Sequence, residues 1–170
     1  MDKNIILYIA MSLDGFIAKE DGSIDWLIKY EKMEEDFGFK TFYNKIGTVL
    51  VGSITYRQYK DAYREKNVYV FSRTKSKSSA ENIHFVSGDV KDIVSNLNFG
   101  ANKNIWLVGG ATLVYQFLIA DLIDEYIITI IPILLGKGIS LFQAQSAEKN
   151  LKLIDVKRYV SDLVQLHYVK

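Results

Sequence analysis

The 170-residue chain contains no cysteine. This absence excludes disulfides, a thiol nucleophile and any zinc site built on thiolates, and it is consistent with a reducing compartment. An excess of charge of one sign is also missing, because 21 basic and 20 acidic side chains leave a formal net charge of +1. Binding to nucleic acid requires clustered lysine and arginine. We therefore expect no nucleic-acid partner.

Long hydrophobic runs are absent as well. A membrane-spanning helix needs about 18 or more consecutive apolar residues, and the nearest candidate, residues 126–135, is shorter and contains Pro132, the chain's single proline. The apolar run at the N-terminus lacks the small-residue cleavage pattern of a signal peptide. The sequence therefore predicts a cytoplasmic protein with no membrane segment.

What the chain does contain is the composition of an ordinary globular protein, with 49% hydrophobic and 13% aromatic residues. A chain of this length can bury roughly 70% of the surface that it exposes when unfolded. No linker, repeat or biased segment interrupts it. We therefore predict a single domain over residues 1–170.

Short β-branched or aromatic runs alternate with segments of helical character. The predicted strands are residues 5–10, 46–51, 67–71, 83–86 and 105–108. The predicted helices are residues 31–45, 54–62, 89–98 (with Asp89 as N-cap) and 111–119. Such alternation is typical of an α/β sheet with parallel pairs and right-handed crossovers.

The last third of the chain has a different pattern. Residues 123–134 and 151–169 read as long strands, the second broken by a turn at Ser161-Asp162, and no helical pattern follows residue 120. Such strands are expected to pair antiparallel. The predicted fold is therefore α/β, with helices on both faces of a mixed, mostly parallel sheet that has antiparallel C-terminal strands.

Gly109-Gly110 stands where the strand at 105–108 passes into the helix at 111–119. In open α/β sheets ligands bind beyond the carboxyl ends of the strands, and the free N–H groups of a helix start favour a phosphate. A tight turn without a ligand explains the pair equally well. The dinucleotide pattern G-x-G-x-x-G and the P-loop pattern are both missing.

Three other segments accompany this pair in a fixed order along the chain. They are Ser12-Leu13-Asp14-Gly15, Val51-Gly52-Ser53-x-Thr55-Tyr56 and Phe71-Ser72-Arg73-Thr74, followed by VGGATLVYQFLIADLIDEYIITIIP at 108–132. Together they resemble the dihydrofolate reductase-like superfamily, and within it the stand-alone proteins of the bacterial riboflavin deaminase-reductase C-terminal (RibD C-terminal) family. The resemblance spans about residues 5 to 142. It implies a three-layer α-β-α fold of the dihydrofolate reductase type.

The resemblance also implies an NADPH-dependent reductase that transfers hydride to a pyrimidine- or pterin-like heterocycle, most closely a 5-amino-6-(5-phosphoribosylamino)uracil reductase. Arg73 would contact the 2'-phosphate of NADPH. Tyr115 would lie near the nicotinamide, although core packing explains it equally well. The implied cofactor-binding residues are Ala10, Gly52, Ser53, Thr55, Ser72, Arg73, Thr74, Val108, Gly109, Gly110, Ala111, Thr112 and Tyr115.

Two carboxylates are candidates for the acidic role in catalysis. The resemblance places Asp14 in a loop over the nicotinamide, although Asp-Gly pairs also form simple turns. Asp36 falls in the predicted first helix, where a cleft of phenylalanines would raise its pKa toward neutrality. A solvated charged face explains Asp36 equally well. No metal site is expected, since the two histidines lack ligand spacing.

The sequence departs from the superfamily pattern at two positions. Ser53 replaces an arginine, which leaves Arg73 largely alone to select NADPH over NADH. Glu65 replaces the arginine that holds the folate tail in dihydrofolate reductases, although Arg64 is adjacent. Folate is therefore less favoured, and dihydrofolate reductase and a non-catalytic nucleotide-binding dimer are kept as alternatives.

A homodimer is also expected. The apolar segment 126–135 and the turn Gly136-Lys137-Gly138, with Ile139, Leu141 and Phe142 beyond it, are predicted to form an exposed patch suited to a twofold contact.

Overall fold

The computed structural model describes residues 3–31, 33–74, 80–97, 99, 104–143 and 148–170. The sequence KSKSS at 75–79 predicts a solvated loop, which lies outside these residues. The strands are β1 (Asn4–Ser12), β2 (Phe16–Ala18), β3 (Thr48–Gly52), β4 (Asn67–Phe71), β5 (Ile83–Val86), β6 (Asn104–Gly109), β7 (Glu125–Ile131), β8 (Ile139–Ser140), β9 (Lys152–Arg158) and β10 (Val164–Val169). The helices are α1 (Ile28–Glu31), α2 (Phe39–Lys45), α3 (Ser53–Tyr59), α4 (Val90–Asn96) and α5 (Ala111–Ile119), with 3₁₀ turns at Asp25–Leu27 and Lys60–Tyr63.

Eight of the strands form one mixed sheet in the order β5-β4-β3-β6-β1-β7-β10-β9. The first six strands in this order are parallel to one another, whereas β10 is antiparallel to both β7 and β9. Strands β2 and β8 form a separate antiparallel pair. The predicted mostly parallel sheet with antiparallel C-terminal strands is confirmed.

Helices cover both faces of the sheet. Successive strand residues point to opposite faces, so Leu7 and Leu107 pack under α4 and α5, while Ile6 and Trp106 pack on the α2 and α3 side. The long helix α5 buries the apolar side of its surface, with Phe117 completely inaccessible. This arrangement confirms the three-layer α-β-α prediction. No described helix combines the length and the apolar character that a bilayer-spanning segment requires.

The prediction of one helix over residues 31–45 is wrong. Two short helices, α1 and α2, flank a turn in which Phe37 and Gly38 have positive φ angles of 53° and 78°. The Asp36 carboxylate accepts hydrogen bonds from the N–H groups of Gly38 and Lys40, at 3.0 Å each. These local bonds compete with helical ones, which is why the charged stretch forms a turn. The prediction of Asp89 as the N-cap of α4 is confirmed. Its carboxylate accepts hydrogen bonds from the N–H groups of Lys91 and Asp92.

The predicted exposed patch for dimerisation is only partly exposed. Strand β7 lies between β1 and β10, and its side chains at Tyr126, Ile128 and Ile131 are buried, as is Leu141 beyond it. The strand is buried because it has a hydrogen-bonded neighbour on each side and core on its faces. Among the large apolar side chains of the patch, those at Leu134, Ile139 and Phe142 are exposed.

Candidate active site

The strands β3 and β6 are adjacent in the sheet, and we refer to the space beyond their carboxyl ends as the crevice. Val51 pairs with Gly109, so the two strands end at the same level. After β3 the chain continues through α3 to β4 on one side, and after β6 it continues through α5 past β1 to β7 on the other side. The direction of the connections therefore reverses here. In open α/β sheets, ligands bind at such switch points.

Glycines form the floor of this crevice. A Cβ atom on Gly52 would lie 3.5 Å from the Gly109 carbonyl oxygen and 3.5 Å from the Gly110 nitrogen. A Cβ atom on Gly110 would lie 3.3 Å from Thr55 Oγ1. Gly109 has a φ of 110°, which side chains disfavour, and its peptide bond to Gly110 is cis. The starts of α3 and α5 therefore meet through bare backbone.

The first turn of α5 begins directly after Gly109-Gly110. Gly110 is its N-cap and offers no side-chain hydrogen bond, while the Gly110 carbonyl accepts from the N–H groups of Leu113 and Val114. The preceding N–H groups, on Ala111 and Thr112, have no partner within the helix. With the helix dipole, they favour an anion. Tyr115 follows one turn later and is half-buried.

The segment after β4 lies at the same edge, because β4 is the parallel neighbour of β3. The Ser72 N–H donates to the Val86 carbonyl at 2.9 Å, which holds this segment against β5. Ser72 Oγ and Thr74 Oγ1 are 3.3 Å apart, and the Arg73 side chain is exposed between them. The hydroxyl groups of Ser72 and Thr74 and the exposed Arg73 thus follow β4 at the carboxyl end of the parallel strands. The predicted cofactor residues after β3, β4 and β6 all lie at the carboxyl ends of these parallel strands.

The Asp14 carboxylate connects two loops through hydrogen bonds. Its carboxylate accepts hydrogen bonds from the Ser12 hydroxyl at 2.6 Å, from the Gly136 N–H at 2.7 Å and from the Leu135 N–H at 3.2 Å. The Ser12 hydroxyl is the main reason that the pKa of Asp14 is lowered, and the two backbone groups add to the effect. Asp14 is therefore ionised at neutral pH, where it accepts hydrogen bonds and does not donate a proton. Its part in catalysis stays a prediction.

The expectation of a raised pKa for Asp36 is wrong. The carboxylate is exposed, and the N–H groups of Gly38 and then Lys40 lower its pKa. The neighbouring phenylalanines pack elsewhere: the Phe37 ring meets the Tyr159 ring edge-on at 5.3 Å between centroids, and the Phe42 ring stacks on Tyr8 at 4.1 Å. They do not form an apolar cleft around Asp36. Its catalytic part also stays a prediction.

A buried polar group lies beside Ala10 that the sequence reasoning missed. Ala10 pairs with Thr129, which pairs in turn with Gln165, so the three side chains share one face of the sheet. Gln165 Nε2 donates to Thr129 Oγ1 at 3.0 Å and to the Tyr8 hydroxyl at 3.3 Å. Burial raises the pKa of Tyr8 to about 12, so this hydroxyl stays protonated. For Thr129 the signal in the sequence was a lone polar residue within an aliphatic run, IITII at 127–131.

The comparison with known families decides the relationship. Residues 3–165 match the RibD C-terminal domain family. The chain belongs to the RibD C-terminal domain family. Within Bacillus subtilis (strain 168), the uncharacterized protein YwjB is 42% identical over 175 residues, covering 100% of this chain and 99% of YwjB.

Solved structures agree with this family assignment. The putative riboflavin biosynthesis protein from Shewanella sp. PV-4 superposes with a TM-score of 0.84 at 30% identity, covering 99% of this chain and 98% of that chain. The Thermotoga maritima diaminohydroxyphosphoribosylaminopyrimidine deaminase/5-amino-6-(5-phosphoribosylamino)uracil reductase has a TM-score of 0.75 at 17% identity, with 98% of this chain covering 56% of that chain. Enterococcus faecalis dihydrofolate reductase, complexed with NADP(H) and RAB-propyl, has a TM-score of 0.71 at 14% identity, covering 98% and 95% of the two chains. The fold is therefore dihydrofolate reductase-like.

The structure locates the two residues at which the sequence departs from the superfamily pattern, Ser53 and Glu65. Ser53 begins α3 and is half-buried beside Gly52. Glu65 is exposed, and the adjacent Arg64 donates to Asp61 through Nε at 2.9 Å and through Nη2 at 2.6 Å. Arg64 is thus engaged with a carboxylate of its own chain. Within the described ranges, no group of three or more His, Asp or Glu side chains is arranged to hold a metal ion.

Proposed function

We propose that this RibD C-terminal domain is an NADPH-dependent reductase of the 5-amino-6-(5-phosphoribosylamino)uracil reductase type, acting in the cytoplasm. The observation that carries the proposal is that only a Cβ atom's space separates Gly52 from the Gly109-Gly110 backbone at the switch point of the sheet. Membership of the family supports the reductase class. The names of its structural relatives in riboflavin biosynthesis support the substrate class.

The residues around the crevice suit NADPH. The N–H groups of Ala111 and Thr112 would hold the diphosphate, because α5 begins directly after the glycine pair and its N-cap offers no side-chain hydrogen bond. Arg73 would hold the 2'-phosphate, for which a guanidinium has suitable geometry. The remaining residues assigned to the cofactor are Ala10, Gly52, Ser53, Thr55, Ser72, Thr74, Val108 and Tyr115. The bound nicotinamide would supply the hydride.

The chain's own residues would orient the acceptor. The ionised Asp14 would accept a hydrogen bond from an N–H group of the heterocycle through a lone pair not used by Ser12 or the 135–136 backbone. The hydrogen-bonded set of Tyr8, Thr129 and Gln165 would keep the sheet rigid beside Ala10. Correct alignment of the reacting atoms accounts for much of the rate enhancement in such reactions.

A substrate without a folate tail fits this surface better than dihydrofolate does. Glu65 would repel the tail's carboxylate, and Arg64 already pairs with Asp61. The test is the oxidation of NADPH, followed by its absorbance, in the presence of the ribosylaminopyrimidine, a pterin or dihydrofolate. We expect turnover with the ribosylaminopyrimidine and much slower turnover with dihydrofolate. A preference for dihydrofolate would contradict the proposal and favour a dihydrofolate reductase.

The alternative is a nucleotide-binding homodimer that retains the fold without turnover. The observation in its favour is that hydrogen bonds hold the pKa values of both Asp14 and Asp36 below the ordinary range, so neither is a proton donor near neutrality. Saturable NADPH binding, with no oxidation by any of the three acceptors, would support this alternative. We propose a homodimer under either function.

A further inference from the structure

Strand β9 is the outermost strand of the sheet, and all seven of its residues are exposed. It carries three large aliphatic side chains, and Leu153, Ile154 and Val156 are 47%, 49% and 52% exposed. Within the described part of the chain, no strand pairs with its outer side. An exposed apolar edge strand is a template for pairing with another chain.

The hairpin of β9 with β10 determines which backbone N–H and C=O groups of β9 face β10 and which face the open edge. The Tyr159 N–H donates to the Leu163 carbonyl at 2.9 Å, in the same register that pairs Arg158 with Val164 and Lys157 with Gln165. Hydrogen-bonding direction alternates along an antiparallel strand. The backbone groups of Asp155 and Lys157 therefore face β10. Those of Val156 and Arg158 face the open edge.

Charge distinguishes the possible registers of a twofold pair of β9 strands. A twofold axis at Val156 places Asp155 of each copy opposite Lys157 of the other, which gives two cross-strand ion pairs. Moving the axis to Asp155 places two aspartates opposite each other, and moving it to Lys157 does the same with two lysines. Opposite charges on facing residues stabilise a sheet, and like charges destabilise it.

We propose that β9 pairs antiparallel with β9 of a second copy of this chain, centred on Val156, so that the two sheets become one. In this register the outward N–H and C=O groups of Val156 pair across the axis. Asp155 and Lys157 then occupy the positions without backbone hydrogen bonds, where facing side chains are closest. In this register the Val156 side chains of the two copies would contact each other across the axis. They would lie on the face of the sheet that also carries Leu166, the β10 partner of Val156.

Other features of β9 are consistent with a single permitted register. Lysines and bulges on an edge strand prevent indiscriminate pairing. Strand β9 has both, since a register shift leaves Ile154 without a partner on β10, and Lys152, Lys157 and Arg158 are exposed. Asp155 and Lys157 of one chain are already 3.9 Å apart, so the pair of copies would form an alternating square of four charges.

Charge exchange tests this register. Analytical ultracentrifugation of the full chain should give twice the protomer mass of 19.4 kDa. Asp155→Lys and Lys157→Asp each place like charges opposite each other twice, so each should raise the dimer Kd at least about tenfold. The double variant Asp155→Lys/Lys157→Asp restores opposite charges and should dimerise like the wild type. A monomeric wild-type chain, or a double variant as weak as the single ones, would overturn the proposal.

A backbone test complements the charge test. Val156→Pro removes an N–H that faces the open edge and makes no bond to β10, so the chain should fold and be monomeric. Val156→Thr keeps this N–H and is the matched control that should remain dimeric. Thermal melting and NADPH binding check that the proline variant is folded. A folded Val156→Pro dimer would contradict the proposal, whatever the outcome of the reductase assay.

Discussion

The substitution Gly52→Ala should weaken NADPH binding without lowering the stability of the fold. Gly52 has a φ of −72° and a ψ of 148°, which any residue adopts, and a Cβ atom there would make ordinary contacts at 3.5 Å. Alanine also reduces the entropy of the unfolded chain, so the free energy of unfolding should be unchanged or higher by about 0.4–1 kcal/mol. The folded structure should therefore survive the substitution.

The affinity of the Gly52→Ala variant for NADPH should decrease. The added methyl group would lie against Gly109-Gly110, where we propose that the diphosphate binds. The loss of one hydrogen bond to a charged group weakens binding by about 1.5–3 kcal/mol, or roughly ten- to a hundredfold in Kd. Isothermal titration calorimetry with NADPH measures this change, and urea unfolding measures stability.

Ser95→Ala is the matched control for Gly52→Ala. Ser95 is exposed on α4, a helix that leads toward the amino end of β6 and away from the crevice. Its substitution should raise stability by about 0.5 kcal/mol through helix propensity and leave the Kd for NADPH unchanged. If Gly52→Ala binds NADPH as tightly as the wild type, the cofactor does not lie against the glycine floor.

Three further outcomes are expected. Arg73→Ala should raise the Kd for NADPH about tenfold and leave that for NADH unchanged in calorimetry, whereas an equal change for both would exclude contact with the 2'-phosphate. Because the pKa of Asp14 is lowered in the native state, its contribution to stability is complete above the ordinary value of 3.8 and is lost as the pH falls through the native pKa. Urea unfolding of Asp14→Asn should accordingly show a smaller loss of stability on acidification than the wild type, and parallel pH curves would show that the carboxylate is uncoupled from folding. Phe117→Ala removes a fully buried ring in α5 and should lower the free energy of unfolding by about 3–5 kcal/mol in chemical denaturation, while a loss below 1 kcal/mol would place Phe117 outside the core.

The elements that were predicted well have local causes. Residues 111–119 form α5 as predicted, since their apolar side chains recur at helical spacing, and Asp89 caps α4 through its own side chain. The helix predicted at 31–45 failed because the bonds from Asp36 to the following N–H groups favour a turn. The burial of β7 depends on β10, which follows more than thirty residues later in the chain. The sequence predicted this antiparallel pairing, but a local pattern does not show that β1 lies along the other side of β7.

The same distinction applies to the candidate site. The glycine pair could be assigned to the carboxyl ends of the strands because ligands bind there in open α/β sheets. Thr55 and Arg73 were assigned to the cofactor by the resemblance to the superfamily. The link between Tyr8, Thr129 and Gln165 depends on the register of three strands, which the sequence does not specify locally. The hydrogen bonds of Asp14 with the 135–136 backbone likewise join segments more than a hundred residues apart.

A crystal structure with NADPH tests the proposed cofactor site most directly. We expect diphosphate oxygens within hydrogen-bonding distance of the Ala111 and Thr112 N–H groups, and the 2'-phosphate beside Arg73. NADPH bound elsewhere, or a crevice filled by the protein's own side chains at saturating NADPH, would contradict the proposed reductase.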